Sequence, residues 1–402
     1  MTADGNGDRT GRPTRVLLVS PSPPATGGIA TWTSILLREV SRRSDVLVRH
    51  ADMAPDPQIQ GGIGPVPRVV VRSVQSGRDL FNVARGLVSF RPHVLHVTTS
   101  GGLGAVRDIP MMSLARLSRA AGVLDFHVSR VGARQPNPPW RLRHERRAIA
   151  LATGVRVLDR ASYRQLQGTT GRTRLWQLPN MIDVDRVDKS VAVGPSPRPT
   201  GGNPGAIQVV FVGRVVRDKG VLELAEACGQ IEGVTLEYVG PVTEEMAREL
   251  DHIGRRCRAG RWLRVLGDVD HRSALLRIVS SNLLALPSRA EAFPYVVLEA
   301  MALSRPVVTT DAGAMPEMID AAGADPCGLS VPTGDLRALR GAIAGLACDA
   351  TRRQDLGAAG RRRVMQRYSA GTVVPLIAEM WQEVAASARR QRTPEIEGGG
   401  IR

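Results

Sequence analysis

Short apolar runs alternate with segments of helical periodicity along this chain, and the pattern occurs twice. Four such runs precede a stretch rich in proline and glycine at residues 188–206, and five follow it. Strands that alternate with helices of about 10 to 15 residues are typical of parallel sheets built from βαβ units. The sequence therefore predicts two α/β domains with a linker between them. The predicted strands are 16–19, 94–97, 123–126 and 155–158 in the first domain, and 207–212, 234–239, 262–266, 282–286 and 306–310 in the second.

The length of 402 residues agrees with two domains, because a single core rarely grows to that size. The apolar runs are far shorter than the roughly 20 residues of a membrane span. The polar start of the chain has no apolar segment of the kind found in a secretory signal, so we expect a cytoplasmic protein. The four cysteines form no C-x-x-C pair, which argues against a disulfide or zinc framework. The expected organisation is a disordered lead-in (1–14), a first domain (15–187), a linker (188–206), a second domain (207–368), a closing helix (369–387) and a disordered tail (388–402).

The net charge of +16 is concentrated in the first domain. Residues 15–190 contain 26 basic and 12 acidic side chains, whereas residues 191–402 contain 26 and 24. Arginine-rich coding bias explains the choice of arginine over lysine but not this asymmetry. One interpretation is that the first domain faces an acidic partner, such as anionic lipid or a phosphorylated acceptor. The segment 140–151 is a candidate membrane-surface helix, although a solvated basic helix packed on the sheet fits equally well. Aromatic residues are only 3% of the chain, so a nucleic-acid platform is not expected.

The loop after the first predicted strand carries Gly27 and Gly28 immediately before a predicted helix. Glycine lets the backbone approach a ligand closely, and free N–H groups at a helix start suit a phosphate or a sugar hydroxyl. The spacing matches neither G-x-G-x-x-G nor a P-loop, so NAD and ATP receive little support. Alone, this loop is a weak signal.

The segment FVGRVVRDKG at 211–220 contains Lys219, one of only two lysines in the chain. A strand ends at Gly213, and Arg214 and Lys219 bracket a short loop before the next helix. Two cations at such a point can neutralise a diphosphate leaving group that gains negative charge as a bond breaks. The alternative is a solvated basic loop.

The segment PSRAEAFPYVVLEAMA at 287–302 places two carboxylates, Glu291 and Glu299, around the start of a helix. Pro294 fits the first helical position, where its missing N–H would have no partner. The free N–H groups of Tyr295 and Val296 could then hold a phosphate. The carboxylates could accept hydrogen bonds from sugar or ribose hydroxyls.

Two D-x-D strings, at 183–185 and 268–270, raise the question of a metal site. The second is better explained by Asp270 acting as an N-cap for the helix that follows. We expect no catalytic metal and no bound cofactor.

Taken together, these motifs resemble those of family 4 glycosyltransferases with the GT-B fold, in which two Rossmann-like domains face a central cleft. That family carries a G-R…K-G loop and an E-x7-E motif. The resemblance covers nearly the whole chain, through GGI at 27–29, VLHVTTSGG at 94–102, DFH at 125–127, LPNMID at 178–183, PSRAEAFPYVVLEAMA at 287–302, PVVTTDAGAMPE at 306–317 and the closing helix.

The resemblance implies a role for each matching residue. Arg214 and Lys219 match ligands of the donor diphosphate, Glu299 the carboxylate that holds the ribose, and Glu291 the one beside the transferred sugar. His127 matches a histidine near the donor sugar. The donor-binding set is completed by Gly28, Gly213 and the turn of Phe293, Pro294, Tyr295 and Val296.

Several positions depart from the family pattern. Ala292 and Pro294 replace the usual glycines, Asp125 stands where histidine is common, and Val128 where glycine is common. These changes put the identity of the sugar in doubt.

The resemblance implies a retaining transfer of a hexose from a UDP- or GDP-linked donor to a glycan or lipid-linked acceptor, in the cytoplasm or at the inner face of the membrane. The alternatives are a sugar-nucleotide epimerase or phosphorylase with the same cleft, and a catalytically silent protein that binds anionic lipid or glycan. A phosphorylase of this architecture would need a lysine for its pyridoxal cofactor, and the second half offers only Lys219.

Overall fold

Two six-stranded sheets, each entirely parallel, form the framework of the protein. The computed structural model describes residues 12–23, 27–54, 68–101, 104–128, 139–171, 173–192 and 205–390. Parallel strands need crossover helices on the faces of a sheet, and the alternating sequence supplies them. The predicted α/β architecture with two Rossmann-like domains is therefore confirmed.

The first domain has the strand order β2-β1-β3-β4-β5-β6. Its strands are β1 (Thr14–Ser20), β2 (Val46–Asp52), β3 (Val94–Thr99), β4 (Ala121–Phe126), β5 (Gly154–Val157) and β6 (Arg174–Gln177). Its helices are α1 (Gly28–Val40), α2 (Arg68–Phe90), α3 (Gly104–Leu117), α4 (Pro139–Leu151), α5 (Arg160–Leu166) and α6 (Val184–Ala192).

The second domain has the order β12-β11-β10-β7-β8-β9. Its strands are β7 (Ile207–Val212), β8 (Val234–Val239), β9 (Leu263–Gly267), β10 (Leu283–Leu286), β11 (Val307–Thr310) and β12 (Gly328–Val331). A 3₁₀ turn (Arg217–Lys219) precedes the helices α7 (Val221–Gly229), α8 (Glu244–Cys257), α9 (His271–Ser280), α10 (Tyr295–Ala302), α11 (Met315–Met318), α12 (Leu336–Cys348) and α13 (Ala350–Arg363), and a π turn (Val364–Tyr368) leads to α14 (Ala370–Arg390).

All nine predicted strands are present, and the structure adds β2, β6 and β12. Each of these three lies at the edge of its sheet. Edge strands are covered on fewer sides, and these three are only partly buried and lack the continuous apolar run that marks an interior strand. The fourth edge strand, β9, is also partly buried but was predicted. The interior strands β3, β4, β10 and β11 are buried along their whole length.

The last helix, α14, returns to the first domain and completes its core. Val373, Ile377, Trp381 and Val384 pack with residues of β1, β3, β4 and α1. The start of the helix is also bonded to the segment before α6, since the Ala370 N–H donates to the Ile182 carbonyl at 2.9 Å. The first domain therefore depends on chain that follows the second.

Two element boundaries differ from the expectation. The helix α6 extends to Ala192, so residues 188–192 of the expected linker are helical, while 193–204 lie outside the described residues. Val184 and Val187 of α6 pack into the core of the second domain, which gives this segment a reason to remain helical. The closing helix runs three residues further than expected, to Arg390, and the lead-in 1–11 and tail 391–402 lie outside the described residues.

Contacts between the domains converge on the loops at the carboxyl ends of the strands. The Glu317 carboxylate accepts hydrogen bonds from the Arg160 N–H (2.8 Å) and from Gln177 Nε2 (2.5 Å) of the first domain. Tyr295 packs against the cores of both domains. In the described part of the chain, no helix has both the length and the apolar character needed to cross a membrane.

Candidate active site between the two sheets

The predicted site residues follow the carboxyl ends of strands in both sheets. Gly28 comes after β1 and His127 directly after β4, while Lys219 and Glu291 follow β7 and β10. The carboxyl ends of parallel strands form one edge of a sheet, and ligands of open α/β sheets bind beyond that edge. The packing of Tyr295, after β10, against Gly28 brings the two edges together.

A short ion pair joins the two motifs of the second domain. Lys219 Nζ lies 2.5 Å from Glu291 Oε1, and Ser288 Oγ donates to the same oxygen at 2.9 Å. Both charged side chains are mostly buried, with 20% and 12% of their surface exposed. The sequence predicted these residues separately, and the fold brings them into direct contact.

Arg214 differs from Lys219 because it is exposed, and its side chain makes no ion pair or hydrogen bond within the described residues. Gly213 is unavailable as a backbone donor, since its N–H bonds to the Val239 carbonyl at 2.9 Å. The expected donor-binding role of Gly213 therefore cannot rest on that N–H. Arg214 is a cation at the strand end that an incoming anion could bind.

Two close backbone approaches hold the loops of this site in register. A Cβ on Gly220, where φ is +69°, would lie 2.1 Å from the Pro287 carbonyl oxygen. A Cβ on Gly313, where φ is +59°, would lie 1.7 Å from the Glu291 carbonyl oxygen. Only glycine tolerates both the left-handed backbone and the contact. The segments 213–220, 287–295 and 311–317 therefore fit together as one unit.

The helix α10 presents its amino end to the same region. The structure makes Pro294 the N-cap, with φ −70° and ψ 125°, so the helix begins at Tyr295 and the expected first position is shifted by one residue. Proline has no side-chain acceptor to cap the helix, and the N–H groups of Tyr295 and Val296 have no intrahelical acceptor. Phe293 is different, because its ring is buried against Tyr368 with centroids 5.6 Å apart. Only the backbone of Phe293 can contribute to binding.

Glu299 is held by a residue that the sequence did not reveal. His271 Nε2 lies 2.7 Å from Glu299 Oε1. The hydrogen bond to the buried Glu299 raises the pKa of His271, whose own side chain is exposed. Asp270 caps α9 through the Ser273 N–H (2.9 Å), as predicted, and thereby fixes the start of the helix that carries His271.

His127 belongs to a buried network centred on Asp125. Asp125 Oδ2 lies 3.1 Å from Nε2 of both His127 and His96, and Arg156 Nη1 donates to its two carboxylate oxygens at 2.7 and 2.6 Å. Asp125 and Arg156 are fully buried neighbours on β4 and β5. Burial would raise the pKa of Asp125, but the Arg156 charge and the histidine bonds outweigh it and hold that pKa well below its usual range.

The network continues into α14. Trp381 Nε1 donates to His96 Nδ1 at 2.8 Å, and Arg156 Nη2 donates to the Pro179 carbonyl at 2.6 Å. Burial lowers the pKa of His96, which is consistent with a neutral ring. Trp32 lies against both rings, with centroid distances of 5.7 Å to His96 and 5.0 Å to His127.

Tyr295, the first residue of α10, packs against the core of the first domain. Its ring is 3.5 Å from the position that a Cβ on Gly28 would take. Its hydroxyl is buried without a hydrogen-bond partner in the described part of the chain. Burial raises the pKa of Tyr295, so the phenol is neutral and can donate a hydrogen bond.

Sequence reasoning missed Arg156, His96, Trp381, His271 and Glu317 as contributors to this region. One signal was available: Arg156 is a charged residue inside an apolar strand, and a buried charge needs a partner. The other contacts join residues far apart in the chain, and local patterns do not reveal them.

The described residues contain no group of three or more His, Cys, Asp or Glu side chains placed to hold a metal ion. In the first D-x-D string Asp183 pairs with Arg38 at 2.8 Å and accepts from the Arg186 N–H at 3.0 Å. Asp183 in the first string and Asp270 in the second therefore both make contacts that stabilise local structure.

The candidate membrane-surface helix, α4, packs Ala148 and Ile149 into the core of the first domain. Arg143, Arg146 and Arg147 are exposed on it. The helix therefore packs on the sheet through these two apolar residues, and its arginines face outward.

Comparisons with known proteins agree with this arrangement. Residues 206–349 match the family model described as Glycosyl transferases group 1. The glycogen synthase of Mycobacterium tuberculosis is 28% identical over 195 residues, which are 48% of this chain and 45% of that protein. The chain thus aligns with less than half the length of this curated relative.

Two solved structures share the whole fold. The sucrose-phosphate synthase of Thermosynechococcus elongatus has a TM-score of 0.73 and 18% identity, covering 93% of this chain and all of that one. HepE of Anabaena, solved in complex with UDP-glucose, has a TM-score of 0.65 and 16% identity, covering 92% and 99%. The protein therefore has the GT-B fold, and its second domain is related to the group 1 glycosyltransferases.

Proposed function

We propose that this protein is a retaining glycosyltransferase of the family 4 type that moves a hexose from a nucleotide sugar to a glycan or lipid-linked acceptor. The observation that carries the proposal is the contact between Lys219 and Glu291 at the strand ends of the domain that matches the family model. A cation, a carboxylate and an uncapped helix start meet there. This combination suits a sugar diphosphate better than it suits a neutral metabolite.

In this proposal Lys219 and Arg214 neutralise the diphosphate as the sugar bond breaks, and the first N–H groups of α10 bind the same phosphates. Glu299 accepts from the ribose hydroxyls, and Glu291 lies near the transferred sugar. The acceptor hydroxyl attacks on the face that the nucleotide leaves, and the departing phosphate takes up its proton. The protein then contributes positioning and charge stabilisation and needs no nucleophile of its own.

A UDP-linked or GDP-linked donor is the proposed class. HepE, which shares the fold, was solved with UDP-glucose, and this supports UDP as the first nucleotide to test. The name of the mycobacterial relative, glycogen synthase, supports a glycan as one acceptor class. The reaction would take place in the cytoplasm or at the inner face of the membrane.

The two lysines of the chain allow a direct binding test. Reductive methylation with carbon-13 labels Lys219 and Lys189 while keeping their charge, and Lys189 is exposed on α6. We expect the Lys219 resonance, and not that of Lys189, to shift when UDP or GDP is added. Calorimetry with UDP, GDP and ADP measures the affinity of each nucleotide independently.

Activity supplies the second part of the test. Lys219→Met should lower kcat/KM by about 100-fold or more, because one charge that stabilises the transition state is lost. Lys189→Met is the matched control and should act like the wild type. Normal turnover in Lys219→Met would refute the proposed chemistry. If no nucleotide binds, the silent lipid- or glycan-binding alternative becomes the better description.

An anionic membrane surface is the proposed partner of the first domain. Two helices of this domain carry exposed apolar side chains, Phe81 on α2 (67% exposed) and Leu117 on α3 (80% exposed), and α4 carries three exposed arginines. Basic residues beside exposed apolar groups favour binding to anionic lipid. The protein should sediment with vesicles containing phosphatidylglycerol, and it should lose this binding when Arg143, Arg146 and Arg147 are all changed to Gln. Equal binding of the wild type and the triple variant, or equal binding to neutral and anionic vesicles, would contradict the proposed membrane surface.

A further inference from the structure

The hydrogen bonds around Asp125 determine which nitrogen of His127 carries the proton. We propose that Asp125 is a positioning residue that fixes His127 with its proton on Nε2, so that Nδ1 serves as the acceptor for a substrate hydroxyl. The inference rests on the proposed function only for the identity of the substrate. The tautomer itself follows from contacts within the protein.

The assignment begins at Trp381, whose indole N–H can only donate. Because it points at His96 Nδ1 (2.8 Å), that nitrogen is the acceptor. A neutral His96 therefore carries its proton on Nε2 and donates it to Asp125 (3.1 Å). A protonated His96 would direct an N–H at the indole N–H, so this ring is neutral.

Asp125 can only accept, since Arg156 compensates its charge at 2.6 Å and keeps it ionised. His127 Nε2 lies 3.1 Å from the same carboxylate oxygen, so this nitrogen carries the proton. Its other nitrogen, Nδ1, has no hydrogen bond to any part of the chain that the structure describes. In the neutral imidazole with its proton on Nε2, Nδ1 is therefore an unused acceptor.

The position of His127 makes this acceptor useful. The residue follows β4 at the edge where the two domains meet. Tyr295 packs against the core cluster that contains Trp32, whose ring lies 5.0 Å from that of His127. A substrate hydroxyl at this point would donate to His127 Nδ1. The phenol of Tyr295 would donate to a neighbouring oxygen of the same substrate. His127 and Tyr295 would then recognise a sugar hydroxyl as a donor and a sugar oxygen as an acceptor.

The tautomer can be measured in the free protein, without any donor. Long-range proton–nitrogen correlation spectra of protein labelled with nitrogen-15 in its seven histidines distinguish the two forms. We expect His127 to show protonated Nε2 and unprotonated Nδ1, whereas the exposed His252 should show a mixture and serves as the internal control. Assignment comes from the spectrum of His127→Gln. A proton on Nδ1 of His127 would overturn the proposal.

The role of Asp125 is tested by removing it together with its counter-charge. In Asp125→Leu/Arg156→Met the tautomer preference of His127 should be lost and the spectrum should show a mixture. If the preference persists, Asp125 is not the positioning residue. The tautomer ratio of His127 responds directly to its hydrogen bond with Asp125. A loss of packing elsewhere in the domain would leave this hydrogen bond, and hence the ratio, unchanged.

Two substitutions of His127 separate its two nitrogens. Asn places a polar atom near the position of Nδ1, whereas Gln places one near Nε2. With the nucleotide sugar that binds, we expect His127→Gln to lose about tenfold in kcat/KM, the value of one substrate hydrogen bond, and His127→Asn to lose less. The reverse order would contradict an acceptor at Nδ1. If the tautomer is as proposed but no nucleotide binds, the proposed function fails while the positioning of His127 stands.

Discussion

The buried pair of Asp125 and Arg156 gives the most demanding test of the structure. Both side chains are fully buried, and Asp125 also accepts from two histidines. Asp125→Leu would leave a guanidinium in the core without its counter-charge and two imidazole N–H groups without their acceptor. Removing one partner of a buried ion pair costs about 3–5 kcal/mol. Because about 1 kcal/mol moves Tm by 2–4 °C in a domain of this size, we expect a loss on the order of 10 °C.

The assay is urea denaturation followed by tryptophan fluorescence, since Trp32 and Trp381 both contact the network. Arg156→Met should cost a similar amount, and the double variant should recover most of it, because neither charge is then left alone. Asp251→Leu is the control, since Asp251 forms an exposed pair with Arg255 and should change stability by less than about 1 kcal/mol. Single variants of Asp125 and Arg156 that cost no more than this control, or effects that simply add in the double variant, would refute the reasoning.

Two further predictions concern the second domain. Gly220→Ala should lower the free energy of unfolding by about 2–5 kcal/mol, because it adds left-handed strain and a clash with the Pro287 backbone. Gly233→Ala is the control, since Gly233 has a similar φ but open space around it and should lose only the strain energy. Equal losses for the two variants in urea denaturation would contradict the clash with Pro287. The pKa of His271 is raised by Glu299, so the stabilisation from this pair is complete below about pH 6.5 and is lost as the pH rises through the raised pKa. An NMR titration of His271 should show a lower pKa in Glu299→Gln, and an unchanged value would exclude the pairing.

The architecture could be predicted because interior parallel strands are buried on both faces. Their apolar runs are visible in the sequence, and eight of the nine predicted strands are interior, while the ninth, β9, lies at a sheet edge. The edge strands β2, β6 and β12 have partly exposed residues, so their sequences lack that signal. The same limit applies to the linker, where packing of α6 on the second domain extends a helix into polar sequence.

The candidate site could be predicted only in part. Lys219, Glu291 and Glu299 were found because cations, carboxylates and a helix start occur at motif spacing, and the structure shows what each contacts. Lys219 and Glu291 prove to be a pair, while Glu299 is held by His271, which no local pattern marked as a site residue.

The sequence by itself determined two parallel α/β domains and the loops that carry their polar residues, because periodicity and glycine placement act within a few residues of chain. Only the tertiary structure decided the contacts that join distant segments. Trp381 reaches His96 across 285 positions because α14 folds back onto the first domain. Asp125 and Arg156 meet because β4 and β5 are neighbours in the sheet. Such pairings depend on which surfaces are buried together, and burial is a property of the whole fold.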